Sequence, residues 1–112
     1  LGVIVAPDEE LVNRVRTRLS THDDVTEKDM FGTLAFLLKG HMVVAVRGSD
    51  LIVRVHPGAT QRALEQPGAQ PFDLTGHPLR GWILAAGESL DAETLDRWVG
   101  EAEATVAALD SN

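Results

Sequence analysis

DMFGTLAFLLKGHMVVAV, residues 29–46, holds an early glycine, two long apolar runs and a Lys39-Gly40-His41 joint between them. Three structures compete for it: a ligand-cradling loop, a piece of membrane, and a hairpin in a core. A bilayer-spanning helix needs about 18 consecutive apolar residues, and the polar joint ends both runs well short of that. A phosphate loop follows a strand and opens a helix. Gly32 instead lies between two strand-like runs, which suits a β-bulge or a close backbone approach. The hairpin is the reading that fits. LAFLL runs out as one strand, Lys39-Gly40 makes a tight turn, and MVVAVR returns.

The neighbouring segments extend this hairpin. VTEKDMF, residues 25–31, precedes it as a strand. Gly48, Ser49 and Asp50 turn the chain again, and LIVRV, residues 51–55, follows. Turn residues punctuating short β-branched runs make an antiparallel meander. Upstream, Pro7 and Asp8 open a helix that places Leu11, Val12, Val15 and Leu19 on one stripe. Downstream, His56-Pro57 leads into a short helix, GATQRALEQ, closed by Pro67 and Gly68. Residues 69–81 contain Pro71, Gly76, Pro78 and Gly81 and read as a long loop, and GWILA is then a fifth strand. Asp91 caps the last helix, and Leu90 reaches Leu95 as a hydrophobic staple. Leu95, Trp98, Val99, Ala102, Val106 and Leu109 share one face of that helix. The order is α-β-β-β-β-α-β-α. It predicts an α+β fold, a five-stranded antiparallel sheet with helices packed on it, as one domain over residues 1–112.

LAFLL and MVVAV are apolar at both parities, whereas a sheet with one wet face alternates. Both faces of these strands therefore need cover. The helices and the 69–81 loop can supply it, or a homodimer can bury the second face.

The 112 residues contain no cysteine, which excludes disulfides, thiolate nucleophiles and Cys-based metal sites. The opening LGVIVA is short and lacks a basic flank, so it is a poor signal peptide, and a cytoplasmic location is expected. The net charge is −7. It is concentrated after residue 87, where Glu88, Asp91, Glu93, Asp96, Glu101, Glu103 and Asp110 face Arg97 alone. This acidic run reads as the solvated side of the last helix. Direct nucleic-acid binding is disfavoured, because phosphate neutralisation needs a basic surface. Arg14, Arg16 and Arg18 form the densest basic cluster and read as a helix flank.

Catalytic motifs are missing. The histidines His22, His41, His56 and His77 show no metal-ligand spacing, so neither a metal site nor a cofactor is expected. No Gly-x-Ser-x-Gly elbow occurs. The polar residues that stand out are Arg54, which interrupts the apolar strand LIVRV beside His56, and Asp73, His77 and Arg80 in the long loop. Arg54, Asp73 and Arg80 read structurally as an ion-paired triad pinning that loop to the sheet. Functionally, Arg54, His56, Asp73 and Arg80 are binding candidates for an anion or small molecule between the 69–81 loop and the sheet.

Three stretches together, TEKDMFGTLAFLLKGHMVVAV, DLIVRVHPGA and QPFDLTGHPLRGW, resemble the TfoX (Sxy) N-terminal domain family, related in fold to YjbR-like proteins. The matching features are Met30-Phe31-Gly32, the Asp50–Val55 strand and the Pro71–Trp82 segment. The resemblance implies an α+β domain with an antiparallel sheet and no known catalytic residues. It further implies a bacterial regulator of competence genes that acts with the cyclic-AMP receptor protein. The methyltransferase label some relatives carry gains no support, because no cofactor-binding motif is present. The expectation is a non-enzymatic regulatory or protein-interaction module, cytoplasmic and homodimeric, with a protein partner such as a transcription regulator. The alternative is a small-molecule or anion binder, enzymatic or not, at the four residues named.

Overall fold

The computed structural model describes residues 6–30, 32–73 and 78–110, the Asp110 side chain excepted. Most of the opening LGVIVA, the Phe31 of the Met-Phe-Gly feature and His77 lie outside the described residues.

The chain runs α1 (Glu9–Arg18), β1 (Val25–Met30), β2 (Thr33–Leu38), β3 (His41–Arg47) and β4 (Asp50–Arg54). A 3-10 turn at Pro57–Ala59 leads into α2 (Thr60–Ala63). Then come β5 (Ala69–Asp73), β6 (Pro78–Ala85), a 3-10 turn at Gly87–Ser89 and α3 (Ala92–Asp110). The strands form one antiparallel sheet in the order β1-β2-β3-β4-β6-β5. The α+β class is as expected, but the sheet has six strands and not five. The segment read as a loop over 69–81 supplies β5 and the start of β6. Pro71 pointed away from a strand, yet β5 is an edge strand, the place where a residue without an N–H is tolerated. The predicted helix over 58–66 is shorter than expected.

Local signals set the element ends. The Asp8 carboxylate accepts from the amides of Glu10 (2.8 Å) and Leu11 (3.3 Å), capping α1. Asp91 does the same for α3, accepting from Thr94 N at 2.8 Å. The β2–β3 turn places Lys39 at φ 53° and Gly40 at φ 83°, the left-handed pair that a two-residue hairpin requires.

One face of the sheet carries the main core. The rows Phe36–Val44–Val53–Ile83 and Leu34–Val46–Leu51–Ala85 run across it. They pack with Leu11, Val12, Val15 and Leu19 of the first helical segment and with Leu95, Trp98, Val99, Ala102 and Val106 of α3. Leu109, expected on the same stripe, is instead exposed, because it lies near the helix end, where the chain lines a cavity.

A register shift between Phe36 and Leu37 leaves Val43 as an extra residue in β3. Val43 and Val44 both join the main core, although adjacent strand residues normally face opposite sides. This bulge accounts for part of the apolar run MVVAV. The rest comes from the second face. There Ala35, Ala45 and Ile52 are buried with Phe72 beneath partly buried Leu37, Met42, Leu79, Trp82 and Leu84. All nine are strand residues. Among the described residues, the helices cover the first face and none joins this second cluster.

Candidate functional site

A single row crosses the second face: Lys28, Ala35, Ala45, Ile52, Leu84, Gln70. Its middle is apolar and its ends are polar. The flanking row pairs Met30, Thr33, Arg47 and Asp50. On the other side, Arg54 pairs with Trp82. Lys28, Arg47 and Arg54 thus frame an apolar strip in a chain of net charge −7. None of the three takes part in an ion pair among the described residues. The Asp50 carboxylate is turned to the backbone, accepting from Gly87 N at 2.8 Å.

Arg54 is the best-defined of these cations. Its Nε donates to the Met42 carbonyl at 2.7 Å, and its guanidinium carbon lies 4.6 Å from the Trp82 ring centroid. Partial burial pulls its pKa down, so the charge pays a desolvation cost.

At the end of β4 the chain builds a cavity of about 350 Å³ lined by Arg54, His56, Arg80, Trp82, Thr105 and Leu109, among others. His56 is placed by capping the 3-10 turn, its Nδ1 accepting from Gly58 N at 3.0 Å. Arg80 Nε donates to the Pro57 carbonyl at 3.3 Å. Thr60 Oγ1 accepts from Gly81 N at 2.9 Å and donates to the Pro57 carbonyl at 2.9 Å, tying β6 to the turn. Gly81 sits at φ +91°, the left-handed region that favours glycine.

Three of the four candidates, Arg54, His56 and Arg80, therefore meet at one cavity. Asp73 does not line it, and no ion pair among the described residues joins Asp73 to either arginine. The expected triad is corrected accordingly. The site's position is corrected too. It lies between the end of the sheet and the C-terminal turns of α3, because residues 69–73 and 78–81 are strands of the sheet itself. Trp82, Thr105 and Leu109 had no local signal, since they meet Arg54 only through the fold.

The helical arginines are committed elsewhere. Arg16 holds Glu27 with two hydrogen bonds of 2.8 Å. Arg18 binds Asp96 and both carboxylate oxygens of Glu103, which also contacts His22 Nε2 at 2.6 Å. Arg14 Nη2 donates to the Leu90 carbonyl at 2.7 Å. The groove between α1 and α3, about 680 Å³, includes Glu10 and Asp96 beside Arg14 and Arg18. Its charges are mixed. Among the described residues no helix is long and apolar enough to cross a membrane.

These features define a class: an α+β domain in which, among the described residues, helices cover one face of an antiparallel sheet and none joins the apolar cluster on the other. The TfoX N-terminal domain family matches residues 17–106, and the chain belongs to that family. No curated protein and no solved structure matches the chain.

Proposed function

We propose that this domain is a non-enzymatic protein-interaction module that docks an acidic, apolar-faced protein on its open sheet face. The observation that carries this reading is the partly exposed apolar strip of Leu37, Met42, Leu79, Trp82 and Leu84 over buried Ile52, framed by Lys28, Arg47 and Arg54. An exposed apolar patch rimmed by polar groups marks an interaction surface. Cations without an ion-pair partner among the described residues select an acidic one. Family membership supports a regulatory setting, with a transcription regulator as the kind of partner.

Magnitude decides the class of contact. Six strands of about six residues present a face of roughly 25 by 20 Å, or about 500 Å² in projection. A standard interface takes about 800 Å² per partner. Docking on this face is therefore transient unless the rim contributes. The expected homodimer is the alternative occupant. Pairing two copies of this face brings the Lys28, Arg47 and Arg54 of both copies into one interface, a surplus of like charge that weighs against it.

The test uses affinity capture from the native cell extract, followed by binding with the purified acidic protein so obtained. A variant carrying Leu84→Glu and Arg47→Glu should lose binding, while Glu93→Lys on α3 should retain it. Solution mass of the chain alone is measured alongside. Loss only in the α3 variant overturns the proposal. So does a doubled mass that Leu84→Glu abolishes, which makes a second copy the occupant. Catalytic turnover lost on Arg54→Ala or Arg80→Ala would make the domain an enzyme instead.

A further inference from the structure

The cavity at the end of β4 has a wall composition unlike the rest of this acidic chain. Arg54, Arg80 and His56 line it, Trp82 forms part of its side, and no carboxylate is among its described lining residues. The Thr105 hydroxyl, also in the lining, donates to the Glu101 carbonyl at 2.8 Å, and other lining side chains, such as Val55, Pro57 and Leu109, are apolar. Its volume of about 350 Å³ falls at the small end of ligand pockets.

The two arginines are positioned yet have hydrogen-bonding capacity to spare. Each guanidinium has five N–H donors. Arg54 uses Nε on the Met42 carbonyl, and Arg80 uses Nε on the Pro57 carbonyl. In both cases the bond uses Nε and leaves the Nη hydrogens for a ligand, the 2.7 Å bond of Arg54 being the tighter anchor. Neither arginine takes part in an ion pair among the described residues, whereas Arg16 and Arg18 do. Stacking on Trp82 holds the Arg54 group further. A half-buried charge without a counter-ion is costly in a folded chain. An incoming anion would offset that cost at Arg54.

We propose that this cavity binds a small-molecule oxyanion, a phosphate or carboxylate group gripped by Arg54 and Arg80, with His56 as a further polar contact. A group with two or more acceptor oxygens matches the planar guanidinium forks. Glu101 of α3 lines a neighbouring cavity that shares His56 and Thr105, and Arg62 lines that cavity with it. The proposal shares Arg54 and Trp82 with the docking reading but is read with small anions alone, so its failure would leave the strip and its other cations, Lys28 and Arg47, as they are.

The experiment is an NMR titration of the full chain, following Arg Nε–H and indole N–H resonances. Sodium pyrophosphate and sodium citrate are the two probes, and sodium chloride at matched ionic strength is the control. Trp98 is fully buried while Trp82 is half-exposed, so the two indole signals provide an internal comparison. Saturable movement of the Trp82 and Arg54 signals by pyrophosphate alone assigns a phosphate. Movement by citrate alone assigns a carboxylate, and movement by both assigns a general oxyanion site. Arg80→Met and Arg54→Met should each weaken binding about tenfold or more, the loss of a charge-assisted hydrogen bond. Arg54→Lys, which keeps the charge and loses the fork, should weaken it less. Arg16→Met on α1 should leave it unchanged. The amide spectrum of each variant verifies its fold. The proposal is overturned if neither probe exceeds the chloride control at millimolar concentration. It is also overturned if the folded Arg80→Met and Arg54→Met variants bind as the wild type does.

Discussion

The guanidinium carbon of Arg54 stands 4.6 Å from the centroid of the Trp82 ring, across a paired position of β4 and β6. The contact joins the open sheet face to the cavity at its end. It also holds a cation in a strand that is otherwise apolar. A double-mutant cycle of Arg54→Met and Trp82→Leu, read by urea denaturation, should give a coupling of about 1 kcal/mol, the range for a partly desolvated cation–π pair. A coupling of zero would make the stacking incidental.

Two glycines separate backbone strain from steric exclusion. A Cβ on Gly40 meets nothing within 4 Å, so only its φ of +83° opposes a side chain. Gly40→Ala should cost about 1 kcal/mol, the left-handed penalty alone. A Cβ on Gly87 would come within 2.2 Å of the Ser49 carbonyl oxygen. Gly87 N also donates to Asp50, so this 3-10 turn cannot back away without losing a hydrogen bond. Gly87→Ala should cost about 3 kcal/mol or more, as overpacking does. Thermal melts of the two variants compare them directly.

These glycines also mark how far local sequence signals reach. Lys39-Gly40, Asp8 and Asp91 act through bonds to their own neighbours, so the hairpin and both caps were legible. Strand β5 was not. AQPFD carries a proline and lies among turn residues, and only its pairing with β6 makes it a strand. Arg54 was legible as a charge in an apolar run, and His56 and Arg80 as its neighbours in a small domain. Asp73 was drawn into the site by opposite charge alone, which says nothing about direction. Trp82 and Thr105 lie on separate elements, and no spacing in the chain links them to Arg54.

Arg18 ties α1 to α3 through Asp96 and Glu103. Glu103 is largely buried, at 18% side-chain exposure, and also receives His22. Glu103→Ala should therefore cost about 2 kcal/mol, more than an exposed pair, because it strips His22 and the Arg18 Nη atoms of their acceptor while Arg18 Nε keeps Asp96. Removing the exposed Arg16–Glu27 pair by Glu27→Gln should cost clearly less, because solvent screens it. Chemical denaturation at neutral pH ranks the two.

Two carboxylates should respond to pH with opposite sign. Burial raises the Glu101 pKa, with Arg97 opposing it. Its stabilising share is complete below the ordinary carboxylate value and lost as pH rises through the raised folded value. Glu101→Gln should thus be more stable than wild type near neutrality, with the gain vanishing in acid. The hydrogen bond from Arg16 lowers the Glu27 pKa. Its share is present above the ordinary value and lost as pH falls through the lowered one. Glu27→Gln should lose stability near neutrality and match wild type in acid. Melting temperatures of both variants from pH 3 to 8, roughly the range that spans these carboxylate transitions, test the contrast.

The acids of α3 and the cations of the bare sheet face lie on opposite layers of the sheet-and-helix stack. Such a molecule has an electrical front and back. An approaching acidic body is rotated into register before any atoms touch, and added salt slows its arrival more than it hastens its departure. On a positively charged support the same polarity turns the helices toward the resin and leaves the sheet facing solution.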